Sequence, residues 1–284
     1  MDEHRRHRAT SRDGTDIVGS VHGTGPPLVF VHGALADGEL EWGEVVPHLA
    51  DRFTCHMIST RGRGASRDAA DHSSPRLVED VAAYADSVGL RAGLVGTSGG
   101  GRLVLGAAAR GARVRAVAAY EPVVFEARDE AFAGEWRQTV AQMRVLADQG
   151  RAEDAVRLFL GTAGTREEEA LFYNEEGFIA AMARYLPVDL QEFEAVSTDE
   201  AVSPTAPSAL ARIAVPVLVM RGARTELPWF AASVRHVASH VPHCRVQEVA
   251  GAAHLAAATA PEALAGILAE FFREFFGAPE EHWP

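Results

Sequence analysis

The sequence predicts an α/β protein, a mostly parallel sheet flanked by helices and interrupted once by a helical insertion. Three observations predict it. Short apolar runs alternate with longer amphipathic ones along most of the 284 residues, and strands alternating with helices of about 10 to 15 residues indicate a parallel sheet covered on both faces. Several short runs, such as GLVG and PVLVM, are apolar at successive positions, as strands buried on both sides require. The alternation fails once, between about residues 125 and 212, where no convincing strand occurs.

In chain order, strands are expected at 16–22, 27–32, 53–59, 91–95, 114–120, 215–220 and 245–249. Helices are expected at 39–50, 75–88, 99–109, 227–241 and 261–276, with Gly or Pro at most junctions. The segment GEWRQTVAQMRVLADQG, with AEDAVRLFLG and GFIAAMARYL after it, has helical spacing and reads as an inserted helical cap. SPTAPSALARIAVP supplies the return linker, so the core is expected over 1–124 and 208–284 and the cap over 125–207.

Composition narrows the function classes. Hydrophobic content of 47% with 23% charged residues is that of a folded domain, and no run approaches the roughly 18 apolar residues that span a bilayer. The basic start MDEHRRHRATSRDG is followed by no apolar stretch, so no secretory signal is read and a cytoplasmic location is expected. A net charge of −12 argues against a nucleic-acid surface; every basic side chain is Arg or His, and lysine does not occur. The two cysteines, Cys55 and Cys244, sit in strand-like runs and are expected as buried free thiols.

GLVGTSGGG places Gly96, Ser98 and Gly100 in a G-x-S-x-G pattern directly after the strand AGLV and before the helix-like RLVLGAAAR. A serine on such a tight strand-to-helix turn has its hydroxyl held above the sheet edge, with helix N-terminal amides beside it. A serine nucleophile needs a base. His254, in the small-residue loop after the last strand, lies at the same sheet edge and follows Ser98 in the chain. The His32-Gly33 turn in LVFVHGALAD can aim the Ala34 amide at the site, joining the Gly99 amide as an oxyanion hole; His32 itself is read as a structural residue of the turn. Glu121 ends the apolar run VRAVAAYEPVVF, where an ionised carboxylate is costly without a partner.

Taken in order, FVHGA, STRGRGAS, LVGTSGGG, YEP, PVLVMRG and AGAAH resemble the α/β-hydrolase superfamily across nearly the whole chain. The resemblance implies an eight-stranded, mostly parallel sheet with a helical cap inserted after the sixth strand, and no metal or organic cofactor. Members commonly carry the triad acid after the seventh strand in a G-x-x-D turn, whereas this chain has Gly222-Ala223-Arg224-Thr225. Some lactonases and dehalogenases of the superfamily take the acid from the end of the sixth strand instead, which is the place of Glu121. Glu121 is therefore assigned as the acid, with Glu226 as the alternative and a structural carboxylate, capping a helix or paired with an arginine, as the other.

The implied activity is a serine hydrolase cleaving an ester or lactone of a small, largely apolar molecule through an acyl-enzyme on Ser98. Rivals are a cofactor-free lyase, cyclase or C–C hydrolase on the same scaffold, and a ligand-binding protein without turnover. Arg61 and Arg63 read as a structural turn that could touch substrate. His236, His240 and His243 read as a solvated helix face rather than a metal site. Trp136, Phe159, Phe172, Tyr173, Phe178, Met182, Tyr185, Trp229 and Phe230 are available for an apolar pocket roof. The expected partner is a small-molecule substrate, and either the cap or the last helix offers a face for a homodimer.

Overall fold

Strands that are apolar at every position must be covered on both faces, and the architecture does this with two helical layers. The computed structural model describes residues 5–89, 91–173, 176–198 and 202–276. Among these residues eight strands are present: β1 Arg6–Thr10, β2 Asp16–His22, β3 Pro27–Val31, β4 Thr54–Ile58, β5 Ala92–Thr97, β6 Val114–Tyr120, β7 Val217–Gly222 and β8 Cys244–Val249. They form one sheet in the order β1-β2-β4-β3-β5-β6-β7-β8, parallel except where β2 pairs with β1 and β4.

On one face lie α2 Ser74–Ser87, α3 Ser98–Ala109 and α10 Pro228–His240, burying Val78, Val81, Leu103, Leu105, Val234 and Val237 against the sheet. On the other lie α1 Gly38–Trp42 and α12 Pro261–Phe276, packing Trp42, Leu264, Leu268, Phe271, Phe272 and Phe275. Leu264, Leu268, Phe271, Phe272 and Phe275 recur on one stripe of α12, and each such burial stabilises by about 1.5–3 kcal/mol.

Between β6 and β7 the chain forms α4 Glu130–Asp148, α5 Ala152–Ala163, α6 Arg166–Tyr173, α7 Glu176–Ala183 and α8 Leu186–Thr198. Asp129 caps α4 by accepting from the Phe132 amide at 2.8 Å. These helices share a core of their own around Met143, Val156, Phe159, Leu160, Ile179 and Leu190, joined from below by Leu35. The short α9 Pro207–Leu210 returns the chain to the sheet and is buried in the core of that face through Ala209 and Leu210. No helix among the described residues is long and apolar enough to cross a membrane.

Three expectations are corrected. The single helix at 39–50 is instead α1 followed by a 3₁₀ turn at Val46–His48. Gly43 ends α1, and Pro47 has no N–H to continue an α-helical ladder. The edge strand β1 has no counterpart among the expected strands, because its pattern RHRAT is largely polar and exposed, a common way of guarding a sheet edge. Strand β8 is the opposite edge and mostly exposed, so Cys244 is half-buried while Cys55 is fully buried; both thiols are free.

β4 lies on one side of β3 and β5 on the other, so the strand order reverses at β3 and leaves a crevice above the carboxyl ends of β3 and β5. Open α/β sheets bind ligands at such a switch point. Ser98 begins the helix that rises from it.

Candidate active site

The turn at Ser98 is forced by contact. Ser98 adopts φ 49° between β5 and α3, in the left-handed region that L-residues avoid. Such a turn closes only if its neighbours lack side chains. A Cβ on Gly96 would lie 2.5 Å from the Gly100 carbonyl oxygen, and one on Gly100 would lie 2.3 Å from the Val31 carbonyl oxygen. The G-x-S-x-G spacing is therefore a steric requirement of pressing this turn against β3. Leu35 (φ 56°) and Glu121 (φ 40°) are the other non-glycine residues with positive φ among the described residues, following β3 and β6.

Above the crevice is a cavity of about 100 Å³ lined by His32, Gly33, Ala34, Ser98, Gly99, Glu192, Trp229, Phe230 and His254 among others. That space admits several water-sized positions. Most of its wall is apolar and aromatic, with α4, α5 and α8 contributing Trp136, Phe159 and Phe193. Of the apolar roof expected from sequence, Trp136, Phe159, Trp229 and Phe230 line the cavity, whereas Phe178 and Met182 pack in the core of the inserted helices and Tyr185 donates to Asp37; the side chains of Phe172 and Tyr173 lie outside the described residues.

His254, part of that lining, meets Glu121 beneath it. Nδ1 of His254 lies 2.8 Å from Oε2 of Glu121, with Glu121 fully buried and His254 at 8% exposure. The other carboxylate oxygen, Oε1, accepts the Gly222 amide at 2.9 Å and the Thr225 hydroxyl at 2.5 Å. Thr225 occupies the turn position where an aspartate was sought, and it holds the carboxylate that arrives from β6. Glu226, the alternative acid, is exposed and makes no hydrogen bond to His254.

The imidazole is fixed from three further directions. Phe230 stacks on it, with ring centroids 4.1 Å apart and planes 18° apart. The Tyr120 hydroxyl donates to the Ala253 carbonyl, and the Leu255 amide donates to Oε1 of Glu168 at 2.7 Å, so the loop is pinned on both sides of His254. Glu168 belongs to α6, which ties the helical insertion to the histidine loop. The Val123 amide bonds to the Ser98 carbonyl at 3.0 Å, locking the segment after Glu121 to the serine turn.

Ala34 and Gly99 both border the cavity beside Ser98, and a Cβ on Gly33 would sit 3.3 Å from that of Ser98. His32 binds the turns together: its Nδ1 lies 2.7 Å from the Gly33 carbonyl, and its Nε2 accepts the Thr60 amide at 3.0 Å. Burial and the neighbouring Arg63 push its pKa down to about 4, so the ring is neutral at physiological pH.

Glu41 has no counterpart in the sequence reading. This half-buried carboxylate takes the hydroxyl of Thr97, the residue before Ser98, at 3.0 Å, and burial raises its pKa. A carboxyl whose folded pKa is raised contributes stability that is full below its unfolded pKa and is lost as pH rises through the folded value. Glu41→Gln keeps an acceptor for Thr97. Its melting temperature is expected to gain on the wild type as pH rises from about 4 to about 8. A difference independent of pH in thermal scans would place the effect elsewhere.

Arg61 and Arg63 are ion-paired within the protein. Arg61 is bidentate to Asp80 at 2.7 Å and bonds Asp13 at 3.0 Å; Arg63 meets Asp189 at 2.9 Å and Glu192 at 2.5 Å. His236 uses Nε2 on the Thr205 carbonyl at 2.9 Å, and among the described residues no group of three or more His, Cys, Asp or Glu side chains could hold a metal.

Comparison with known proteins agrees with this architecture. The sequence model of the Alpha/beta hydrolase family matches residues 28–267. Two curated relatives are named pimeloyl-[acyl-carrier protein] methyl ester esterase. The protein from Nitrosomonas europaea is 37% identical over 93 residues, covering 31% of this chain and 35% of its own length. That from Stenotrophomonas maltophilia is 34% identical over 148 residues, covering 46% and 56%. The chain thus spans less than two thirds of either relative. Among solved structures, an alpha/beta hydrolase from Sphaerobacter thermophilus superposes with a TM-score of 0.75 at 29% identity, covering 94% of this chain and 100% of its own. An enol-lactonase from Burkholderia xenovorans gives 0.73 at 22% identity, over 94% and 99%, a likeness of fold.

Proposed function

The chain belongs to the alpha/beta hydrolase family, and from that premise we propose that it is a serine hydrolase cleaving a carboxylic ester or lactone of a small, largely apolar molecule. The observation that carries this reading is the buried Glu121–His254 contact of 2.8 Å, with His254 lining the same cavity as the strained Ser98 turn. The names of the partial relatives, which specify a methyl ester, support an ester as the bond attacked.

In this mechanism Nε2 of His254 takes the Ser98 proton while Glu121 holds Nδ1–H, fixing the tautomer and balancing the imidazolium that forms. The serine oxygen attacks the carbonyl carbon, and the Ala34 and Gly99 amides receive the oxyanion. The imidazolium returns its proton to the leaving alkoxide, giving an acyl-enzyme on Ser98. Water, deprotonated by the same histidine, releases the acid and restores the serine. Helices α4 to α8 act as a cap that narrows the entrance and supplies the apolar wall.

The test is intact-mass analysis after treatment with a fluorophosphonate. One adduct on the wild type, absent from Ser98→Ala, is the expected result. A folded wild-type protein that takes no adduct and turns over no activated ester would overturn the reading.

A further inference from the structure

Two of the buried arginines among the described residues are ion-paired. Arg61 and Arg63 each meet two carboxylates. Arg128, half-buried in the wall of the Ser98 cavity, meets none among the described residues, and its Nε is buried without a hydrogen-bond partner. Aromatic faces surround it instead: its guanidinium carbon lies 4.2 Å from the Phe125 centroid, 4.8 Å from that of Trp229, and 5.6 Å from those of Phe132 and Trp136. Cation–π contacts offset part of the desolvation and leave the in-plane N–H donors without an acceptor.

A second guanidinium sharpens the imbalance. Arg102, 5% exposed, lines the same cavity and lies 5.3 Å from the Phe125 centroid while donating to the Ser74 hydroxyl at 2.7 Å. Desolvation and this like charge, against the attraction of Glu126, push the Arg128 pKa down to about 10, so it stays charged at neutral pH. The acids nearby spend their hydrogen bonds on other groups. Glu192, also in the wall, is held by Arg63, and Glu126 accepts the Thr205 hydroxyl at 2.8 Å. In a chain of net charge −12, two guanidiniums thus stand in the mostly apolar lining that also holds the nucleophile.

We infer that Arg128, with Arg102 behind it, is a carboxylate-binding subsite, and that the substrate is an ester or lactone with an apolar body and a carboxylate remote from the bond cleaved. A planar carboxylate matches the in-plane donors of a guanidinium whose faces are already covered by rings. The inference rests on the serine-hydrolase reading for the bond cleaved; the anion site itself rests on Arg128.

The test compares kcat/KM for matched ester pairs. One series carries the anion on the acyl end, as p-nitrophenyl half-esters of dicarboxylic acids against p-nitrophenyl esters of the matching monocarboxylic acids. The other carries it on the alcohol end, as 4-acyloxybenzoates against phenyl esters. The anionic member is expected to be at least tenfold better in one series. That ratio should fall at least tenfold in Arg128→Gln and recover in part in Arg128→Lys, with melting temperatures showing that each variant is folded. A ratio at or below one in both series, or one that Arg128→Gln leaves unchanged, would overturn the subsite. If no ester is turned over and Ser98 takes no label, the hydrolase reading fails, and binding of 4-phenylbutyrate against 4-phenylbutanol, followed by tryptophan fluorescence, decides the subsite alone. Selective binding of the acid that weakens at least tenfold in Arg128→Gln supports it, and equal binding of acid and alcohol rejects it.

Discussion

Replacing Glu121 by glutamine is expected to lower kcat/KM on an activated ester by about 10⁴, the loss seen when related triads lose their orienting anion. The structure gives the reason. All the hydrogen bonds around this carboxylate are donated to it, from Nδ1 of His254, the Gly222 amide and the Thr225 hydroxyl. A glutamine offers one oxygen and one NH₂. Oxygen facing Gly222 and Thr225 leaves NH₂ facing Nδ1, which must then accept, moving the ring proton to Nε2 where the serine proton has to go. Glu226→Gln, on an exposed residue one position past Thr225, is expected to change turnover by less than threefold, an estimate in line with neutral surface substitutions. Equal losses in the two variants, measured with the same ester, would remove Glu121 from the role. Adding Thr225→Asp to Glu121→Gln should recover part of the activity, because it returns an anion to the place where Thr225 now meets Glu121.

Arg63→Met is expected to destabilise the fold by about 3–5 kcal/mol, the range for stripping one partner from a buried ion pair. Arg63 is 1% exposed and follows β4, whereas its partners Asp189 and Glu192 stand on α8, so the cluster fastens the helical insertion to the sheet edge. Without the guanidinium, buried Asp189 and half-buried Glu192 are left with His72 as the remaining basic neighbour. Burial alone would raise the Glu192 pKa; Arg63 and His72 reverse that and hold it down to about 2. A carboxylate with a depressed folded pKa contributes stability that is present above its unfolded pKa and is lost as pH falls toward the folded value. Urea unfolding at neutral pH and near pH 3.5 should therefore show the gap between wild type and Arg63→Met narrowing in acid. A variant within about 1 kcal/mol of the wild type at pH 7 would mean that the acids relax to solvent. Asp189→Asn with Glu192→Gln in the Arg63→Met background should restore much of the loss.

Periodicity and breakers were enough to read the sheet, because strands covered on both faces must be apolar throughout and the glycines around Ser98 answer to steric limits that no partner can change. The same reasoning failed at β1, whose polar residues are those of an edge, and at 39–50, where Gly43 and Pro47 outweigh an amphipathic pattern. Thr225 shows a subtler limit. Read alone, a threonine at the acid's usual turn is a loss; in the structure it is a hydrogen-bond donor to an acid from the neighbouring strand.

The sequence by itself determined the strand and helix layers, the position of Ser98 on a glycine-flanked turn and the order in which serine, carboxylate and histidine follow one another, since these depend on local steric and hydrophobic rules. Tertiary structure alone decided that Glu121 rather than Glu226 meets His254, that Arg61 and Arg63 are ion-paired, and that Arg128 meets aromatic faces instead. Those outcomes depend on groups as far as 133 residues apart in the chain, brought together by strand order and burial, and the cost of a buried charge is set by what lies within hydrogen-bonding distance of it.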